Sequence, residues 1–358
     1  MITEETIRKL PKVELHDHLD GGLRPRTIIE LADRYSKDIP SHDPAELAAW
    51  FDRGCRLKSL PLYLETFAVT TAVMQTREAL ERIAYEAVLD WKAQNIVYGE
   101  IRFAPILHTE EGLSLDEIVR AVSAGMARGE KETGVKWGIL LCAMRHQSAS
   151  TSLEIAKLAA RHREDGVVGF DIAGAEKGNP PSVHLEAFRY AKESGLGVTI
   201  HAGEADSCES IRQAVFECGA DRIGHGTSLI EDMNRGGDLY RYVKEKGITL
   251  EMCLSSNIGT GAAESFEKHP FGIFLREGLH VCLSTDNRLM SNTDLSKEMC
   301  IAAQTFDLDL RDLERVGVNA MEGSFADEGT KRTAIENAIA KPFREIGSKQ
   351  VDSGVQML

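Results

Sequence analysis

The sequence has no paired-cysteine motif, no long apolar run and no excess of positive charge. Its seven cysteines stand at 55, 142, 208, 218, 253, 282 and 300. The count is odd and no two are spaced C-x-x-C. That argues against a disulfide framework or a cysteine zinc knuckle and fits a reducing, cytoplasmic setting. No apolar stretch nears the ~18 residues of a membrane span. The opening MITEETIRKLPK is too charged for a secretory signal. The chain has 42 Lys plus Arg against 56 Asp plus Glu, a net charge of −14. Such a balance repels phosphate backbones, so nucleic acid is not an expected partner. The expectation is a soluble acidic protein with no membrane partner, acting as a monomer or weak oligomer.

What the sequence does have is a rhythm. Short apolar or β-branched segments recur at 12–19, 97–104, 135–143, 167–173, 197–203, 221–226, 248–254 and 280–286. Several are near-continuous apolar runs, as strands buried on both faces of a parallel sheet require. Helix-period segments separate them. Residues 76–94 place Leu80, Ile83, Ala84, Ala87 and Val88 on one face. Residues 114–132 open with Ser114 and have Glu117 three later, a capping-box pattern. Further helices are expected at 150–163, 182–194, 207–218 and 237–246, with Gly195, Gly219 and Gly247 as their C-caps.

Eight β/α alternations without a break in composition predict an α/β fold, one (β/α)₈ TIM barrel over residues 1–345. An open doubly wound sheet fits less well, because no G-x-G-x-x-G follows the first strand. About 75 residues separate the first two strands, more than a crossover needs. Residues 25–75 read as extra helices inserted over the C-terminal mouth, with outer packing as the alternative. The polar tail, 346–358, is expected to be frayed.

In a barrel, chemistry gathers at the C-terminal strand ends, and the unusual polar residues fall there. The first strand ends in His16-Asp17-His18-Leu19-Asp20, the fourth in DIAGAE (171–176), the fifth in HAGE (201–204) and the sixth in His225-Gly226. The eighth ends in Asp286-Asn287. Side chains alternate along a strand, so His16 and His18 point the same way, into the barrel. Two imidazoles side by side make poor core and good ligands. With His201 and Asp286 they complete a three-nitrogen, one-oxygen set that suits one zinc. Glu204 alone could be a solvated loop carboxylate, and His225 alone a core histidine. The other histidines (42, 108, 146, 162, 184, 269, 280) read as surface, except that His146 could shape a pocket.

On these residues the sequence resembles the adenosine deaminase family of the amidohydrolase superfamily. The matching stretches are LHDHLDGGLRP (15–25), DIAGAE, HAGE, RIGHG (222–226), SSN (255–257) and STDN (284–287), in family order across nearly the whole chain. The resemblance implies hydrolysis of adenosine, and of 2′-deoxyadenosine, to the inosine form and ammonia. His16, His18, His201 and Asp286 would hold one Zn²⁺ per chain. Glu204 would protonate purine N1, and His225 would handle the proton of the attacking water. Asp20 would bond the ribose 5′-hydroxyl, the Gly174 N–H would face N3, and Asn287 would face N7.

Two departures matter. Many animal members carry aspartate where Asn287 stands, and an amide donates without a pKa shift; Asn287-Arg288 resembles a bacterial subgroup. No lysine ends the fourth strand, so a two-metal centre bridged by carbamylated lysine is not expected. Alternatives within the family are an aminodeoxyfutalosine or adenine deaminase; a non-catalytic nucleoside binder is a third. The cytidine-type zinc deaminase needs H-x-E with P-C-x-x-C, which is missing.

Overall fold

The structure is a computed structural model that describes residues 2–346. The tail expected from Ile346 onward therefore lies almost wholly outside the described residues. Eight strands follow one another in spatial as in chain order: β1 (Lys12–His18), β2 (Ile96–Phe103), β3 (Lys136–Met144), β4 (Val167–Ala173), β5 (Gly197–Ala202), β6 (Arg222–His225), β7 (Thr249–Met252) and β8 (Val281–Leu283). Every neighbouring pair is parallel. β8 returns to β1 through one bridge, Asp17 to Asp286. There the Asp286 N–H donates to the His16 carbonyl and the His18 N–H to the Asp286 carbonyl, each at 2.7 Å. The predicted TIM barrel is the fold.

Helices cover the outside because their apolar faces have only the sheet to bury against. Residues Arg77–Ala93 bury the predicted face, with Thr76 capping Ala79. Leu115–Thr133 begins with the expected capping box between Ser114 and Glu117. The expected helix at 207–218 is a short α-helix, Cys208–Arg212, running into a π-helical turn, Gln213–Glu217.

Between β1 and β2, after a 3-10 turn at Leu19–Gly21, lie five α-helices: Pro25–Tyr35, Pro44–Cys55, Leu60–Glu65, Phe67–Ala72 and Arg77–Ala93. The two short ones send Leu60, Tyr63 and Phe67 into a cavity at the C-terminal ends of the strands. All seven cysteines are free thiols. Among the described residues, no helix is long and apolar enough to cross a membrane.

Candidate active site

The site is built on strand alternation. Glu14, His16 and His18 of β1 face the barrel interior. Asp17 faces outward, where Trp91 Nε1 donates to it at 2.7 Å and Arg288 pairs with it at 2.9 Å. His201 stands at the end of β5. On β6 alternation points Gly224 inward, since a Cβ there would stand 3.1 Å from His16 Cε1. A regular pleat would therefore turn His225 away. Instead His225 adopts φ +64 and lines the cavity. Asp286 likewise adopts φ +58. A left-handed non-glycine residue costs about 1–3 kcal/mol, and the chain carries two of them at the strand ends that aim these side chains.

The polar atoms converge. His16 Nε2 and His18 Nε2 lie 3.3 and 3.4 Å from Asp286 Oδ1, and His18 Nε2 lies 3.2 Å from His201 Nε2. Four ligands about 2.0–2.1 Å from a tetrahedral centre stand about 3.3 Å from one another. The rings are anchored from behind. His16 Nδ1 donates to Glu251 at 2.8 Å, and His201 Nδ1 to Asp171 at 3.0 Å. With the hydrogen on Nδ1, each neutral ring offers a bare Nε2 lone pair. His16 Nε2 has no hydrogen-bond partner although it is buried. Carboxylates behind ligand histidines set tautomer and orientation in metal sites. The donor set therefore fits a divalent metal. His225 is also close: one ligand atom each from His16, His201, His225 and Asp286 lie within 4.8 Å of one another. Ser256 Oγ donates to Asp286 Oδ2 at 2.5 Å.

Beneath this cluster lies a second layer of buried charge. Arg102 bridges Asp171 at 2.6 Å and Glu251 at 2.7 Å. Arg222 bridges Glu251 and Glu100, both at 2.6 Å. Burial pushes Glu251 and Asp171 up. Arg102 and Arg222 overcome that for Glu251, and His201 with Arg102 for Asp171, so both stay below their ordinary range.

Above the cluster the carboxylates lack such partners. Burial, reinforced by Asp286, pushes Glu204 up to about 8. Its Oε1 is buried without a hydrogen-bond partner, and its Oε2 lies 3.6 Å from His225 Nε2. Burial raises Asp20 to about 7, and its Oδ1 is also unpartnered. Burial lowers His225 to about 4, leaving it neutral. The backbone carrying Glu204 is held by Glu176, whose carboxylate accepts the N–H groups of Gly203, Glu204, Ala205 and Asp206 at 2.6–3.1 Å. Gly203 has φ +72, and a Cβ there would stand 2.4 Å from Ser228 Oγ.

All nine residues expected from the sequence lie together, and all but His16, which stands 3.3 Å from Asp286, line the cavity beside the cluster. His18, Asp20, Gly174, His201, Glu204, His225, Asp286 and Asn287 line one cavity of about 360 Å³, within the range of small-ligand sites. No lysine or arginine lines it among the described residues. His146 lines it too, as the sequence allowed. Four histidines expected at the surface are buried instead: His108, His162, His184 and His269. His162 is clasped by Asp116 and Asp165, and His184 by Ser152 and the Arg145 carbonyl. Arg102, Arg222 and Glu251 are not among the residues expected from the sequence. A polar residue inside a short apolar strand, as in GEIRF or LEM, is the signal that could have found them.

Residues 11–342 match the sequence profile described as adenosine deaminase. A curated adenosine deaminase from Mycobacterium marinum is 48% identical over 356 residues, covering 96% of this chain and 98% of the relative. One from Mycobacterium avium is 49% identical, covering 94% and 96%. Among solved structures, a zinc-bound amidohydrolase from Burkholderia ambifaria superposes with a TM-score of 0.87 at 25% identity, covering 98% of this chain and 96% of that one. An adenine deaminase from Arthrobacter aurescens gives 0.84 at 25% identity, covering 91% and 97%. By its sequence, its barrel and the convergence of these side chains, the chain belongs to the adenosine deaminase family.

Proposed function

We propose that the protein hydrolyses adenosine, and 2′-deoxyadenosine, to inosine or deoxyinosine and ammonia, using one zinc held by His16, His18, His201 and Asp286. The observation that carries this reading is the buried Glu204 carboxyl, with one oxygen unpartnered, in an apolar cavity beside the histidine–aspartate cluster. When bound, zinc supplies a Lewis acid that lowers the pKa of water toward ~7.

The chain's own residues do the rest. C6 of adenine is a poor electrophile until N1 is protonated. A carboxyl raised to about 8 is protonated at neutral pH and can donate there. His225 is the polar group beside the attacking water. The water oxygen bonds to C6 and gives up two protons, one to the departing amino nitrogen and one to Glu204, which has passed its own to N1; the bond from C6 to that nitrogen breaks and ammonia leaves. Asn287 donates its NH₂ to N7, and the Gly174 N–H faces N3. Asp20 bonds the 5′-hydroxyl, a task a bare base would not give it. Asp20, His225 and Asn287 are buried, which strengthens contacts of this kind.

The test is a substrate panel on the zinc-loaded protein. Adenosine should be turned over far faster than adenine or 6-aminodeoxyfutalosine. Equal rates on adenosine and adenine would remove the role given to Asp20.

A further inference from the structure

Behind β6, His225 heads a hydrogen-bonded series of three buried side chains, and the chemistry above does not use the other two, Asn257 and His269. His225 presents Nδ1 to the Asn257 amide at 3.1 Å. The other end of that amide meets Nε2 of His269 at 3.1 Å. Nδ1 of His269 meets the backbone N–H of Phe271 at 3.2 Å. His225, Asn257 and His269 are each no more than 1% exposed, so water does not compete for these groups.

The series has a fixed direction. A backbone N–H can only donate. Nδ1 of His269 must therefore accept, and in the neutral ring the hydrogen sits on Nε2. Burial keeps that ring neutral, pushing it down to about 3. Nε2–H donates to the Asn257 oxygen, which turns the Asn257 NH₂ toward His225. An amide NH₂ only donates, so His225 Nδ1 accepts and its ring hydrogen sits on Nε2. Reversing any link sets two donors, or two acceptors, face to face in a dry site. The backbone N–H of Phe271 ends the series and fixes the direction of every link before it.

We propose that Asn257 and His269 are positioning residues that lock His225 as the Nε2–H tautomer, so that it faces the attacking water as a hydrogen-bond donor rather than as a base or a metal ligand. The catalytic part of this rests on the deamination reading; the tautomer does not. The lock also decides the ligand set. His225 lies within reach of the cluster, but a nitrogen that carries a hydrogen offers no lone pair. His18 takes the place instead.

The test uses the zinc-loaded full chain with ¹⁵N-labelled histidine and long-range ¹H–¹⁵N correlation spectra. His225 is identified by the signal lost in His225→Asn. The expected result is an Nε2–H ring for His225, against Nδ1–H rings for His16 and His201. Asn257→Asp replaces the donor facing His225 with an acceptor. It should move the His225 hydrogen to Nδ1 and lower kcat by about 100-fold, the scale seen when one aimed transition-state donor is lost. KM and zinc content should change little. An Nδ1–H ring in the unmodified enzyme overturns the proposal, as does an Asn257→Asp protein with unchanged tautomer and kcat. Where Asn257→Asp does not fold, the unmodified spectrum decides alone. An expected spectrum from a protein that leaves adenosine intact would sink the deamination reading and leave the lock standing.

Discussion

His16 and His225 lie with ring centroids 4.8 Å apart, and they are held in opposite ways. On the floor of the barrel, Nδ1 of His16 meets the Glu251 carboxylate, an acceptor. On the wall behind β6, Nδ1 of His225 meets the Asn257 amide. The floor group is charged and rests on Arg102 and Arg222. The wall group is neutral and rests on a backbone N–H. One arrangement bares an Nε2 lone pair toward a cation. The other leaves an Nε2–H toward the cavity. Identical side chains thus acquire different chemistry from the atom placed behind them.

The same contrast separates the carboxylates. Asp171 and Glu251 are matched by arginines and stay ionised. Glu204 and Asp20 have buried oxygens without partners and are pushed toward the protonated form. Burial alone is common to all four. The difference lies in the counter-charge, and the unmatched pair faces the cavity where a substrate would complete it.

Substitutions should pull the two regions apart. Glu204→Gln strikes the cavity side and keeps the shape. It should lower kcat by about 10²–10⁴-fold, the usual worth of general acid catalysis, while zinc content stays at one per chain. Steady-state kinetics beside metal analysis checks both halves, and activity within a few-fold of the parent refutes the proton-donor role. Asp171→Asn strikes the floor. It should weaken zinc binding by about 10–100-fold, the usual effect of losing a carboxylate behind a ligand histidine. Competition against a chelator reads this directly; unchanged affinity would mean that the floor does not serve the metal. Asp20→Ala also falls on the cavity side, but at a group that takes no part in the proton transfers. Its expected effect is the smallest, a rise in KM for adenosine of up to about tenfold, from one lost hydrogen bond worth roughly 0.5–1.5 kcal/mol. Adenine turnover should hardly change. Equal loss on both substrates would place Asp20 in the structure rather than in recognition.

Much of this was legible in the sequence, because strands of a parallel barrel announce themselves as apolar runs. β4 was bounded as found, and β1 to within one residue. β8 was not: it was expected to reach Asp286 and ends at Leu283. The pattern continues past the ladder because Ser284 to Asp286 stay buried while the chain turns to bridge β1. The candidate residues were visible as polar groups at strand ends. The wall was not visible. His269 sits in a loop with no periodicity, so nothing local distinguishes it from a solvated histidine; only the fold brings it against Asn257. Arg102 and Glu251 depend in the same way on partners 149 residues apart in the chain.

The bare nitrogens above the floor should make activity depend on one bound metal. The most direct measurement is to strip metal from the protein with a chelator and add zinc back in steps, following the absorbance change as adenosine becomes inosine. Activity should be absent at the start and rise in proportion to zinc up to one equivalent per chain. Full activity in the stripped protein would contradict it, as would a break at two equivalents.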